Sequence, residues 1–288
     1  MQFLNRNKDR KQDKTETVRP GQRDHQATRR QDLLDWFDRP LGRSLQGLEA
    51  SHLRQILPSL YGMVAIQLGH IGKLNLMDAC VAPARILIDE DIKPIEHGER
   101  VIMGAQADAL PLDAKSVDVA ILPHTLDFAE DPHAILREVD RVLSPEGHVV
   151  IMGFNPLSLW GLWRLGTFFH RRTRRRLPWC AKFVGLPRIN DWLSLLGFER
   201  MQCEMLFHRP PIKREGVMDK LFFMERLGRR WWPRVGAIYM IVARKSVIGM
   251  TPLKPAWKKR KRLISGLAEP AAKVIYPSVP QWRFRRGG

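Results

Sequence analysis

VIMGAQADALPLDAKSVDVAILPHTLDFAEDPHAILREVDRVLSPEGHVVIMGFN, residues 101–155, decides the fold of this 288-residue chain. It reads as strand, turn, strand, helix, strand. Val117-Asp118-Val119-Ala120-Ile121-Leu122 is a short run of β-formers bounded by breakers, the pattern of a strand buried on both faces of a parallel sheet. Asp131-Pro132 predicts a helix start, with an N-cap and a proline at the first helical position. Ile135, Leu136, Val139, Val142 and Leu143 then recur at helical spacing. Ser144-Pro145-Glu146-Gly147 should end that helix in a turn, and His148 to Gly153 should be the next buried strand. Strand, crossover helix and parallel strand at this spacing form a βαβ unit, whose ligand site lies at the carboxyl ends of the strands. That places function near His124 and Phe154.

Working outward, residues 31–62 suggest two helices, with apolar residues from Leu33 to Leu57 at helical spacing and an interruption at Arg39-Pro40-Leu41-Gly42. Met63 to Leu68 reads as a first strand running into a turn at Gly69. Asn75 to Val81 is expected to be a short helix or irregular crossover, Arg85 to Ile88 a second strand and Val101 to Met103 a third. Beyond 153 come a late helix at Ile189–Leu196 stopped by Gly197, a strand at Phe198–Phe207, a short helix at Leu221–Leu227 and a final strand at Gly236–Ala243. The expected architecture is α/β: a mostly parallel seven-stranded sheet, helices on both faces, with the last strand inserted antiparallel.

Charge is distributed unevenly. The net charge is +18, yet residues 63–150 carry seven basic and fifteen acidic side chains, whereas 151–243 carry seventeen basic and six acidic. Residues 1–30 hold nine basic against four acidic and read as a disordered arm; residues 244–288 hold twelve against one and read as a proline-punctuated basic tail with interleaved aromatics. Cys80, Cys180 and Cys203 show no paired spacing, so neither a disulfide framework nor a metal site is expected. The N-terminal residues lack the apolar core of a signal peptide, and no apolar run reaches the ~18 residues of a membrane span. A cytoplasmic protein is expected, with peripheral membrane attachment as an alternative.

The central stretch also resembles the class I S-adenosylmethionine-dependent methyltransferases, in particular the type 11 branch. The resemblance rests on Gln106-Ala107-Asp108-Ala109-Leu110-Pro111, Ser116-Val117-Asp118, His124-Thr125-Leu126-Asp127-Phe128, Asp131-Pro132, Leu136 to Leu143, and Pro145-Glu146-Gly147, in that order. It spans 63–153 well and 189–243 loosely. It implies a Rossmann-like core that binds S-adenosyl-L-methionine, with 154–188 as an insertion or lid.

What the resemblance implies for individual residues follows from their positions. Gly69 stands where the first glycine of the family's G-x-G-x-G loop belongs, with His70 next to it. The loop departs from the family pattern, because Ile71 occupies the second glycine's place, Gly72 is shifted by one, and Gln67 replaces the usual acidic residue. Gln67 would accept from the cofactor's ammonium through its amide oxygen. Asp89, twenty residues after Gly69, would take the ribose hydroxyls, although acidic residues after strands also serve turns. Gln106 and Ala107 would meet the adenine, with Asp108 the alternative if the register differs. His124 would line the methyl end as a base or an acceptor-orienting group, or else simply satisfy backbone groups.

Two functional classes follow. One is a methyltransferase acting on a small or lipid-like acceptor; the other is a non-catalytic descendant of the fold that binds nucleic acid or an anionic membrane through residues 164–176 and 244–288. For the aromatic stretch from Phe154 into the arginines at 171–176, the open readings are a lid, an interfacial helix, a phosphate-contacting surface, or a core helix with a solvated loop.

Overall fold

The computed structural model describes residues 34–72, 74–90, 101–166, 182–210, 227–228, 230–232 and 235–246. The expected N-terminal arm, the basic tail beyond 246, the arginine cluster at 171–176 and most of the expected helix at 221–227 lie outside the described residues.

Seven strands form one sheet: β1 (Val64–Leu68), β2 (Ala84–Asp89), β3 (Val101–Gly104), β4 (Val117–Pro123), β5 (Leu143–Phe154), β6 (Phe198–Leu206) and β7 (Ile238–Lys245). Their order is β3-β2-β1-β4-β5-β7-β6. The first five pair in parallel, and β7 inserts antiparallel to both β5 and β6. Because β1 pairs with both β2 and β4, the strand order reverses at β1, which opens a crevice at the carboxyl ends of β1 and β4.

Side chains alternate between two apolar layers. Ala65, Leu87, Val119, Ile121, Val150 and Met152 face α1 (Pro40–Ile56) and the helical turn at 34–37, whereas Ile66, Leu68, Ile88, Ala120, Leu122 and Ile151 face the opposite layer. That second layer is built by α3 (Pro132–Val142) and α5 (Leu186–Leu195); α2 (Thr125–Phe128) and α4 (Leu159–Gly166) sit after β4 and β5. The α3 start is as expected, since Asp131 Oδ1 accepts from the amides of His133 (2.9 Å) and Ala134 (3.1 Å), with Pro132 in the first turn.

Two local expectations need correction. The break between N-terminal helices falls at Asp38-Arg39, and Pro40 opens α1 rather than interrupting it, because a proline at the first position has no amide that the helix needs. Ser144 to Gly147 form no separate turn after α3. The chain passes from α3 directly into β5, and the breakers make a bulge, with the four residues of β5 between Leu143 and His148 opposite the single residue Asp118 of β4.

Asp118 organises that bulge and the entry to β1. Its Oδ2 accepts from the amides of Met63 (2.7 Å) and Val64 (3.1 Å), and its Oδ1 accepts from Ser144 Oγ (2.8 Å). Burial alone would push the carboxyl up, but these three donors outweigh it and hold it below the ordinary value. The charged form is therefore the stabilising one. Its contribution is present above pH 3.8 and is lost as pH falls through the lowered folded value. Asp118→Ala should cost about 1–2 kcal/mol in urea unfolding and flatten the acid limb of the stability profile. An unchanged acid limb would remove this role.

Candidate functional site

The crevice is lined first by the turn after β1. Gly69 adopts φ +78°, a left-handed conformation that glycine reaches without strain, and its amide donates to Ile88 O at 2.8 Å. The His70 amide donates to Asp89 Oδ2 at 3.0 Å, and His70 Nδ1 lies 3.5 Å from the same oxygen. The buried Asp89 thus clasps the β1 turn from the end of β2. Below it, Gln67 is buried and donates from Nε2 to Gly69 O at 3.0 Å. Its Oε1 is buried without a hydrogen-bond partner among the described residues.

Ile71, at the place of the family's second glycine, turns away from the crevice into the layer beneath α1. Its carbonyl accepts from Gln46 Nε2 of that helix. Gly72 adopts φ +58°, and a Cβ there would sit 2.5 Å from the Gln46 amide nitrogen. A side chain at this position would be strained and would have to displace the Gln46 amide. In this chain a helix and a large apolar anchor hold a loop that the family's pattern builds from successive glycines.

The second wall is the turn after β4. His124 has φ +54°, and its amide donates to Met152 O at 3.0 Å. Thr125 Oγ1 donates to Leu68 O at 2.5 Å, tying this turn to β1. The His124 ring is fully buried between two fully buried carboxylates: Nδ1 is 2.9 Å from Asp127 Oδ2 and Nε2 is 2.8 Å from Glu49 Oε1. Asp127 Oδ2 also accepts from the Phe154 amide at 2.9 Å, and the imidazole packs against Phe154 with centroids 4.2 Å apart.

Burial would lower the His124 pKa, but the Glu49 charge and the hydrogen bonds to Asp127 and Glu49 raise it to about 9. The Asp127 carboxyl is pushed up by burial, against the opposing pull of His124 and the amides of Phe154 and Val184. Both ring nitrogens are engaged by buried carboxylates, so His124 links Glu49 of α1 to Asp127 of the β4 turn, a positioning arrangement rather than one open to a substrate.

Gln106 and Ala107 follow β3. Ala105 donates its amide to Asp89 O at 3.1 Å, and Gln106 O accepts from the Ala109 amide at 3.2 Å. The Gln106 side chain is exposed, as is Asp108, while Ala107 is half-buried against the second layer. Gln67, Gly69, His70 and Asp89 are thus brought together by direct hydrogen bonds, with Gln106 and Ala107 one strand further along the same rim. Local sequence reading missed Gln46 and Glu49. The available signal was two polar residues three apart among the buried apolar residues of α1. Among the described residues, no group of three or more His, Cys, Asp or Glu side chains is arranged to hold a metal ion.

The uncharacterized protein YafS of Escherichia coli K12 is 33% identical to this chain over 228 residues, covering 78% of the chain and 86% of that relative. The type 11 family profile, described as a methyltransferase domain, matches residues 71–151, the segment from the β1 turn to β5. This chain belongs to the class I S-adenosylmethionine-dependent methyltransferase family. The uncharacterized protein Rv2003c of Mycobacterium tuberculosis H37Rv is 25% identical over 182 residues, covering 61% of the chain and 60% of that protein. A solved methyltransferase from Thermotoga maritima aligns with a TM-score of 0.48 at 16% identity, covering 69% of this chain and 91% of its own. The family and its fold imply S-adenosylmethionine as the cofactor. The crevice fits it in two respects: a glycine in left-handed conformation leaves room for close approach, and a buried amide oxygen beneath it lacks a partner.

Proposed function

We propose that this protein binds S-adenosylmethionine at the carboxyl ends of β1 and β2 and methylates a small or lipid-like acceptor. The observation that carries the reading is Gln67 Oε1, a buried acceptor left unmatched beneath the Gly69 turn at the point where the strand order reverses. Gln67 would take a donor of the cofactor's amino-acid part, Gly69 and His70 its neighbouring backbone, Asp89 the ribose, and Gln106 with Ala107 the adenine end. The bound cofactor supplies an electrophilic methyl group on a sulfonium. The protein's part is alignment and exclusion of water, which needs no covalent intermediate. His124 serves by position, holding the β4 turn and Phe154 against α1.

Calorimetric titration with S-adenosylmethionine and S-adenosylhomocysteine tests the site. Micromolar binding of either is expected. No binding at millimolar ligand would overturn the proposal in favour of a non-catalytic member of the fold. Gln67→Leu removes the unmatched oxygen and should weaken the cofactor about tenfold, the size of one hydrogen bond to a charged group. Unchanged affinity would take Gln67 out of the site.

A further inference from the structure

Helix α4, LWGLWRLG at Leu159–Gly166, follows β5 after a short turn and carries a single charged side chain, Arg164. One side anchors it. Trp160 is fully buried, donates from Nε1 to Arg209 O at 2.9 Å, and packs edge-on against Trp36 with centroids 6.1 Å apart. Arg164 folds its guanidinium 4.7 Å over the Phe183 ring, toward the protein.

The other side is apolar and open. At about 100° per residue, Leu165, Leu162, Leu159 and Trp163 succeed one another around it. Leu162, Trp163 and Leu165 are 65%, 57% and 67% exposed, and Leu157 in the preceding turn is 75% exposed. A solvent-facing helix normally turns polar residues outward, and this one turns none outward on that arc. A contiguous apolar face of this kind marks an interaction surface.

Its chemistry selects the occupant. Residues 151–243, the part of the sequence that carries this face, hold seventeen basic side chains against six acidic, so the face belongs to a cationic stretch of chain. A second copy of the chain would bring two such cationic regions together. Nucleic acid would satisfy the charge, but exposed leucines offer nothing to phosphates. An anionic lipid surface satisfies both, taking the leucines below the headgroups, the tryptophan at headgroup level and the cations against the phosphates. Trp231 and Trp232, also exposed, lie just ahead of β7, whose first residue Ile238 pairs with Phe154, so they belong to the same end of the sheet.

We propose that the outer face of α4, formed by Leu157, Leu159, Leu162, Trp163 and Leu165, docks this protein on anionic membrane surfaces. The face adjoins the carboxyl ends of the strands, where a lipid-like acceptor would arrive. Docking does not depend on cofactor binding, so the two readings can fail separately.

Flotation of the full chain with vesicles tests docking, comparing phosphatidylcholine alone with phosphatidylcholine containing about one third phosphatidylglycerol. Wild type should float with the anionic vesicles only. Leu162→Ser/Trp163→Ser should weaken that binding about tenfold or more, with an unchanged near-ultraviolet spectrum from the buried Trp160 cluster. A second variant, Leu157→Ser/Leu165→Ser, should act in the same direction should the first lose that spectrum. Wild type that stays unbound, or variants that bind as well as wild type, would overturn the proposal. A concentration-dependent dimer abolished by these substitutions, with no lipid binding, would overturn it in favour of a second copy. Cofactor titration of the same variants should be unaffected.

Discussion

His124→Leu is expected to destabilise the protein by about 3–5 kcal/mol, because it leaves two buried carboxylates without their shared cation. Glu49 and Asp127 are both fully buried, and Glu49 Oε2 and Asp127 Oδ1 already lack hydrogen-bond partners among the described residues. Urea unfolding measures the loss, and one below about 1 kcal/mol would show that the trio is not held by charge.

The same trio sets a pH dependence. The His124 pKa is raised from 6.5 to about 9, so its contribution is complete below pH 6.5 and is lost as pH rises through about 9. Asp127 works in the same direction: its carboxyl is raised, so it holds its proton more tightly when folded and favours the fold at lower pH. The nearby Tyr239 hydroxyl is pushed well above 10 and stays protonated throughout this window. His148, lowered by burial and by Arg244, affects stability only below its ordinary 6.5. Wild type should therefore lose on the order of 2–3 kcal/mol between pH 6.5 and 9, and His124→Leu should be flat there. A wild-type profile that is already flat would contradict the protonated imidazole.

Gly69→Val should abolish cofactor binding, by about a hundredfold or more, while the fold persists. At φ +78° a β-branched side chain is strained by about 1–3 kcal/mol, which a domain of this size tolerates. Calorimetry with S-adenosylhomocysteine, beside a circular dichroism spectrum, separates the two effects. Unchanged affinity in a folded variant would place the cofactor elsewhere.

The central βαβ unit was legible because its signals are local. Val119 to Leu122 is apolar on both faces, Asp131-Pro132 starts a helix by hydrogen bonds within three residues, and the spacing of Ile135, Leu136, Val139 and Val142 names the buried side. The β5 bulge was not legible, since Ser144-Pro145-Glu146-Gly147 has the composition of a turn and becomes strand only through Asp118 across the ladder. At the site, Gly69 and Asp89 could be read from spacing. Their bond through the His70 amide could not, nor could the inward turn of Ile71 beneath α1, with its carbonyl on Gln46.

The sequence by itself determined the order of strands and helices, the parallel character of the sheet, the glycine turn after β1 and the family resemblance, because each depends on periodicity or on neighbours a few residues apart. Only the tertiary structure decided what His124 does and how a glycine-poor loop is held. Both answers come from α1, whose Gln46 lies 25 residues before Ile71 of the loop it supports and whose Glu49 lies 75 residues before the histidine it pairs with. A buried polar group is defined by the partner that replaces water, and packing alone decides which distant residue that is.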